Sequence, residues 1–292
     1  MVTDIQHVAR ALGLPKPDAD FRIEILLTDS RSLTYPESSL FFAIRTKEND
    51  GHRYISDLYR AGVRAFVVTD IPADAAEMPD AVFLRVPDVI AALQTVARVL
   101  TPRPEHVAAI TGSLGKTTLK EWIFQLMEPL VEMVRSPRSF NSQIGVPLSL
   151  WEIEDDTRLA VIETGVSRKG EMEALAEIID PDTVIFTNIG EEHSDGFGSL
   201  EEKMREKALL ARAPHLRTLI YNADDPLPAS ILDAIDEGIV VYDAQGKVNL
   251  ITPSAESLLN CAKKEALGEH IRTVMPGVFS PGTLAGDKAE HG

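Results

Sequence analysis

The chain has 292 residues, of which 44% are hydrophobic and 25% charged, enough for two globular domains and a smaller third piece. A net charge of -16, with no cluster of Lys and Arg, excludes a nucleic-acid binder because nothing would offset phosphate repulsion. The single Cys261 permits no intrachain disulfide, the N-terminus lacks a signal-peptide pattern, and no run nears the about 18–20 apolar residues that span a bilayer, so a cytoplasmic protein without membrane contact is expected.

In chain order, LFFAI (40–44), AFVVTD (65–70) and VFLRV (82–86) read as short strands rich in Val, Phe and Ile. The stretch 52–61 reads as a helix stopped by Gly62, and another is expected over 89–100. The Thr-Pro-Arg-Pro segment at 101–104 breaks regular structure and marks a boundary between a first domain, 1–101, and a second beginning at 105. From His106 the pattern becomes strand, glycine loop, helix. HVAAIT leads into GSLGKTT, and a helix follows with Leu119, Ile123, Leu126, Met127 and Leu130 on one face. LAVIETG, TVIFTNIG and RTLIYNADD are further strands, with helices near 171–179 and 200–212 between them. Continuous apolar strands alternating with helices imply an α/β fold, here a doubly wound parallel sheet covered on both faces. After Asp225, GIVVYD and KVNLIT flank a turn at 243–246 and suggest an antiparallel hairpin, with short helices near 254–259 and 263–267. Residues 278–292 read as a polar, disordered tail.

The strongest chemical signal is the loop from Thr111 to Thr118. Gly112, Ser113 and Gly115 let successive backbone N–H groups converge at the N-terminus of the following helix, where an anion is favoured. Lys116 would reach the outer phosphates of ATP, Thr117 would ligate Mg²⁺, and Thr118 completes the loop. Ile110 stands where the full phosphate-loop pattern has its first glycine.

That shortened loop resembles the one in the Mur ligases, although Leu114 departs from the Asn, Ser or His usual in its slot. The neighbouring segments extend the resemblance over residues 1 to about 225, toward the branch that adds D-alanyl-D-alanine and the ligase half of ligase–alanine racemase fusions. In SPRSFNSQIGVPLSLW, Asn141 matches an active-site asparagine; in IETG, Glu163 matches a metal-holding glutamate; in TNIGEEHSDGF, His193 matches a second metal ligand. Lys207 matches the lysine that the family carbamylates, and Asn222 and Asp224 of NADD match adenine contacts. In the first domain, DSR and LFFAIRTKENDGHRYI resemble the part that holds the uridine nucleotide, which points to Ser30, Arg31 and Lys47. Without the resemblance Lys207, in the charge-rich stretch LEEKMREKALL, would read as a surface residue.

The resemblance implies an ATP- and Mg²⁺-dependent amide ligase. Its metals would be held by Thr117, Glu163, His193 and carbamylated Lys207, with Lys116 and Asn141 also at the reacting centre. The substrates implied are a UDP-MurNAc-peptide (a UDP-muramoyl tripeptide) and D-alanyl-D-alanine. The implied layout is a substrate domain, 1–101, and an ATP-binding domain, 105–227, that is truncated, with no counterpart of the Tyr-Asn-Ala-Asn-Pro motif. Residues 228–277 resemble instead the opening half of a PAS sensor domain, which implies a protein partner for this tail. Two readings follow: an active ligase, or a catalytically incomplete nucleotide-binding module with a regulatory tail. Lineage favours the ligase label; the missing amine-binding domain weighs against turnover by this chain alone.

Overall fold

A computed structural model describes residues 1–188, 196–222, 240–242 and 245–275. The chain divides into two compact units, Met1–Tyr221 and Asn222–Gly292.

The first unit opens with β1 (Thr3–Asp4) and α1 (Ile5–Ala11), capped by the Asp4 side chain, and β1 pairs antiparallel with β2 (Arg22–Ile23). Then come β3 (Ile25–Leu27), β4 (Ser39–Phe42), α2 (Ile55–Arg60), β5 (Ala65–Val68), β6 (Val82–Arg85) and α3 (Val89–Leu100). The expected helix over 52–61 thus begins as a 3-10 turn, Gly51–Tyr54. β3 to β6 form a parallel four-stranded sheet in chain order. Its two-residue alternation feeds two cores. Leu40, Phe42, Ala65 and Val67 face one side, under α1 and α3, while Phe41, Phe66 and Val68 face the other, under Ile55 and Leu58 of α2. α3 begins where Asp88 accepts from the Ile90 and Ala91 N–H groups, which satisfies two otherwise unpaired donors.

The second sheet is built from β7 (His106–Thr111), α4 (Lys116–Met127), β8 (Met133–Arg135), α5 (Gly145–Trp151), β9 (Leu159–Glu163), α6 (Glu171–Ile179), β10 (Thr183–Phe186), α7 (Leu200–Ala208) and β11 (Thr218–Ile220). All five strands are parallel, in the order β11-β10-β7-β9-β8. The chain leaves β7 toward one edge and β10 toward the other, so a crevice opens at the C-terminal ends of these neighbours. Register places Ile110 beside Glu163 and Thr111 beside Phe186, which brings the loops after β7, β9 and β10 to one end.

The apolar face expected on α4 is only partly buried. Leu119 and Ile123 pack on Ala108, Ile110 and Val161, but Leu126 is exposed, and Leu130 lies beyond the helix and is exposed as well. A fully buried Lys120 takes the place beneath the first turn that periodicity would give to an apolar residue. The short β8 and α5 carry no sequence pattern strong enough to predict.

α5 ties the two sheets together. Trp151 joins the core formed by α1, α3 and the first sheet, and its indole N–H donates to the Glu24 carbonyl at 2.7 Å. The second unit contains β12 (Val240–Tyr242) and β13 (Val248–Ile251), which form the expected antiparallel hairpin. Short helices Pro253–Leu259, Lys263–Ala266 and Ile271–Val274 follow. Val248, Ile251, Ala255, Ala266, Ile271 and Val274 share a small core. The tail 278–292 lies outside the described residues. Among the described residues no helix is long and apolar enough to cross a membrane.

Replacing Trp151 with Phe keeps most of the apolar contact but leaves the Glu24 carbonyl without its donor. The expected loss of stability is about 1–3 kcal/mol, read by urea denaturation followed by circular dichroism; an unchanged midpoint would show that the bond does not join the sheets energetically.

Candidate functional site

The loop 112–115 closes tightly because glycine is needed at its start. Gly112 has φ 140°, and a Cβ there would overlap the Thr187 hydroxyl and lie 2.8 Å from the Asn188 carbonyl. Gly115 is left-handed at φ 80° and precedes the first residue of α4, but a Cβ there would meet open space. The loop is braced from the end of β10. Ser113 N–H donates to the Asn188 carbonyl at 2.7 Å, Leu114 N–H to Asn188 Oδ1 at 2.8 Å, and Thr187 Oγ1 to the Leu114 carbonyl at 2.6 Å. Thr187 and Asn188 lie in the TNIGEEHSDGF segment, yet sequence reasoning assigned them no role.

Lys116 curls back so that its ammonium donates to the Gly112 and Ser113 carbonyls at 2.9 and 2.8 Å. Lys207 reaches the same loop from α7 and donates to the Gly112 carbonyl at 3.0 Å. Contrary to its surface-like sequence pattern, Lys207 is buried, as is Lys203 one turn earlier on the same helix. Burial, reinforced by the charges of Lys116 and Lys203, lowers the Lys207 pKa from 10.5 to about 7.

On the other side of the loop, Glu163 is buried at the end of β9. Its Oε2 accepts from Thr117 Oγ1 and its Oε1 from Asn141 Nδ2, both at 2.8 Å. Its own N–H donates to Ser136 Oγ at 2.9 Å, and the Gly165 N–H binds the Asn141 carbonyl at 2.7 Å, which fastens the Asn141 loop to the strand end. The structure therefore brings together Gly112, Ser113, Lys116, Thr117, Asn141, Glu163 and Lys207. A cavity of about 590 Å³ opens among Gly112, Ser113, Lys116, Asn141 and Lys207. Thr118 is exposed on the first turn of α4 and does not line it.

The hydroxyl of Thr117 and the carboxylate of Glu163 are hard oxygen donors in contact with each other, a pair suited to Mg²⁺, which takes few protein ligands and completes its shell with water and phosphate. Among the described residues no group of three or more His, Cys, Asp and Glu side chains is placed so that it could hold a metal ion by itself. His193 and Asp224 lie outside the described residues, and Asn222 is the exposed first residue of the second unit.

A separate cavity of about 340 Å³ lies at the end of the first sheet and is lined by Asp29, Ser30, Arg31, Asn49 and Tyr54 among others. Asp29 both caps the turn that carries Ser30 and pairs with Arg31 at 2.7 Å. Lys47 is exposed and does not line this cavity.

The Mur ligase middle domain matches residues 110–278, a span that continues beyond residue 225 into the second unit. The UDP-N-acetylmuramoyl-tripeptide–D-alanyl-D-alanine ligase of Bacillus subtilis is 34% identical over 202 residues, covering 68% of this chain and 43% of the relative. The ligase of the same name from Synechocystis is 35% identical over 238 residues, covering 80% and 52%. Among solved structures, MurF from Acinetobacter baumannii superposes with a TM-score of 0.70 at 25% identity, over 80% of this chain and 51% of that one. MurF from Thermotoga maritima, solved in complex with ADP, shares the fold at a TM-score of 0.61 and 23% identity, over 77% and 54%. The chain spans about half the length of the curated relatives it matches. With a phosphate loop, a strand-end glutamate and a buried α7 lysine in one crevice, and with the middle domain matched over more than half its length, the chain belongs to the Mur ligase family.

Proposed function

We propose that this chain supplies the nucleotide-binding and donor-substrate parts of an ATP-dependent amide ligase. This ligase would join a UDP-MurNAc tripeptide to D-alanyl-D-alanine in the cytoplasm. The observation that carries the reading is the convergence of Lys116, Lys207, Thr117 and Glu163 on one loop. A carboxylate is a poor acyl donor because its oxygen leaves badly; phosphorylation by ATP gives an acyl phosphate, and an incoming amine then displaces phosphate. Most of the first step is positioning and charge neutralisation.

Lys116 would release its loop carbonyls to meet the outer phosphates, while the N-terminus of α4 faces the chain of phosphates and Asn188 keeps the Ser113 and Leu114 amides. Bound Mg²⁺ would supply charge neutralisation on the transferred phosphoryl, held by Thr117 and Glu163, with His193 and Lys207 as the family resemblance adds. Asn141, now hydrogen-bonded to Glu163, would keep that carboxylate oriented at the reacting centre. Asn222 and Asp224 would contact adenine. The first-sheet cavity, with Ser30 and Arg31 in its wall and Lys47 beyond it, would take the uridine nucleotide. In this reading residues 1–101 form the substrate domain and 105–227 the ATP-binding domain.

Carbamylation needs a neutral amine, and a Lys207 pKa of about 7 supplies one near neutrality. A second reading concerns residues 228–277. The hairpin and short helices, with a core of their own, support a PAS-like regulatory or partner-binding segment, while the family match through residue 278 covers the same stretch and counts against it.

Calorimetric titration with ATP and Mg²⁺ tests the main reading. Saturable binding is expected, weakened by about 10–100-fold in Lys116→Ala, since charge-assisted phosphate bonds are lost; equal binding in both proteins, or none, would sink it. Lys207 gives a second test. Its folded-state pKa lies below 10.5, so between about pH 7 and 10.5 the unfolded chain holds the extra proton. The penalty for its buried charge is therefore full below pH 7 and fades as pH rises through that window. In bicarbonate-free buffer, Lys207→Met is expected to be more stable than the parent at pH 7, with the gain shrinking toward pH 10. A gain independent of pH in urea denaturation would contradict the shifted value.

A further inference from the structure

Lys120 carries a charge in a place where no substrate can meet it. It is wholly buried and is absent from the lining of the phosphate-loop cavity. Its ammonium donates to the Arg138 main-chain carbonyl and stands 3.3 Å from Glu121 Oε1 and 3.5 Å from Glu163 Oε2. Of these partners, Glu121 is part-exposed and already has a second cation, Arg135, at 2.9 Å. Glu163 is buried, and among the described residues Lys120 is the cation within 4.0 Å of it. Thr117 and Asn141 bind its two oxygens but are neutral, so they orient the carboxylate without balancing its charge. Arg138 adopts a left-handed conformation, φ 49°, which a residue with a side chain disfavours, and the bond to Lys120 helps hold it there.

We propose that Lys120 is a positioning residue, a resident cation that fixes Glu163 and, through the Arg138 carbonyl, the loop bearing Asn141 before any nucleotide arrives. The roles of Glu163 and Asn141 rest on the ligase reading; the pairing itself does not. A helix residue one turn after Lys116 thereby sets the strand-end carboxylate from behind, while Lys116 lines the cavity and Thr117 holds the other face of the carboxylate.

Two measurements on the full chain test this. The first is a double-mutant cycle of Lys120→Met and Glu163→Gln, read by unfolding through tryptophan fluorescence. Both tryptophans, Trp122 and Trp151, lie in the first unit, so the signal reports on it alone. Each single change is expected to destabilise, because each leaves a buried charge unmatched. The double variant should lose less than the sum, by about tenfold or more in the folding equilibrium. Additive losses overturn the pairing. If Lys120→Met does not fold, a double variant that folds supports the proposal, and one that also fails overturns it.

The second measurement is the affinity for ADP with EDTA and with Mg²⁺. In Lys120→Met the metal-free affinity should stay within about twofold of the parent, while the enhancement by Mg²⁺ falls about tenfold or more. No change in that enhancement, or an equal loss with and without metal, overturns the positioning role. A parent protein that binds no ADP overturns the nucleotide reading instead, and the stability cycle still decides the pairing.

Discussion

Burying the Glu163 carboxylate at the end of a central strand is the constraint around which the crevice is arranged. An ion withdrawn from water costs several kcal/mol unless donors and an opposite charge answer it. The answer here comes from two separate stretches of chain: Thr117 and Lys120 on α4, and Asn141 on the loop after β8, where Ser136 also accepts from the Glu163 main-chain N–H. Satisfying one side chain therefore fixes the relative positions of the phosphate loop, its helix and the 136–141 segment. The carboxylate is costly for stability by itself, yet it specifies a single arrangement of the groups around it.

The opposite wall follows a complementary logic. Lys116, Lys203 and Lys207 place positive charge on one side of the loop, and two of these lysines are buried. Glu163 sits on the far side with its own counter-charge behind it. A cavity with these three lysines in its wall favours an anionic ligand between them. The first sheet adds a cavity on the same unit, and the shared core around Trp151 makes α5 the element through which the two sheets are packed.

Much of this was legible in the sequence. α3, β7 and α6 run over the residues read for them in the sequence; in the structure Asp88 caps the first, the Pro pair precedes the second and a left-handed Gly170 precedes the third. The tight turn from β7 into α4 was legible from its glycines and flanking elements. Less legible were features whose cause is tertiary. β8 and α5 are too short to show a period, and Lys207 and Lys120 sit in charged stretches that resemble solvated surface until the fold closes over them. Asn188 works through its backbone carbonyl and its side-chain carbonyl, and composition cannot distinguish that use from an ordinary loop asparagine.

The two glycines of the phosphate loop answer to different kinds of selection. At Gly112 any substitution puts atoms where Thr187 and Asn188 already are, so the position is closed to drift unless those neighbours change with it. At Gly115 the surrounding space is open and only the left-handed backbone argues for glycine, a demand that asparagine can also meet at modest cost. Across descendants of this sequence, Gly112 would vary only in concert with the end of β10, whereas Gly115 would be limited by its own left-handed backbone and not by its neighbours.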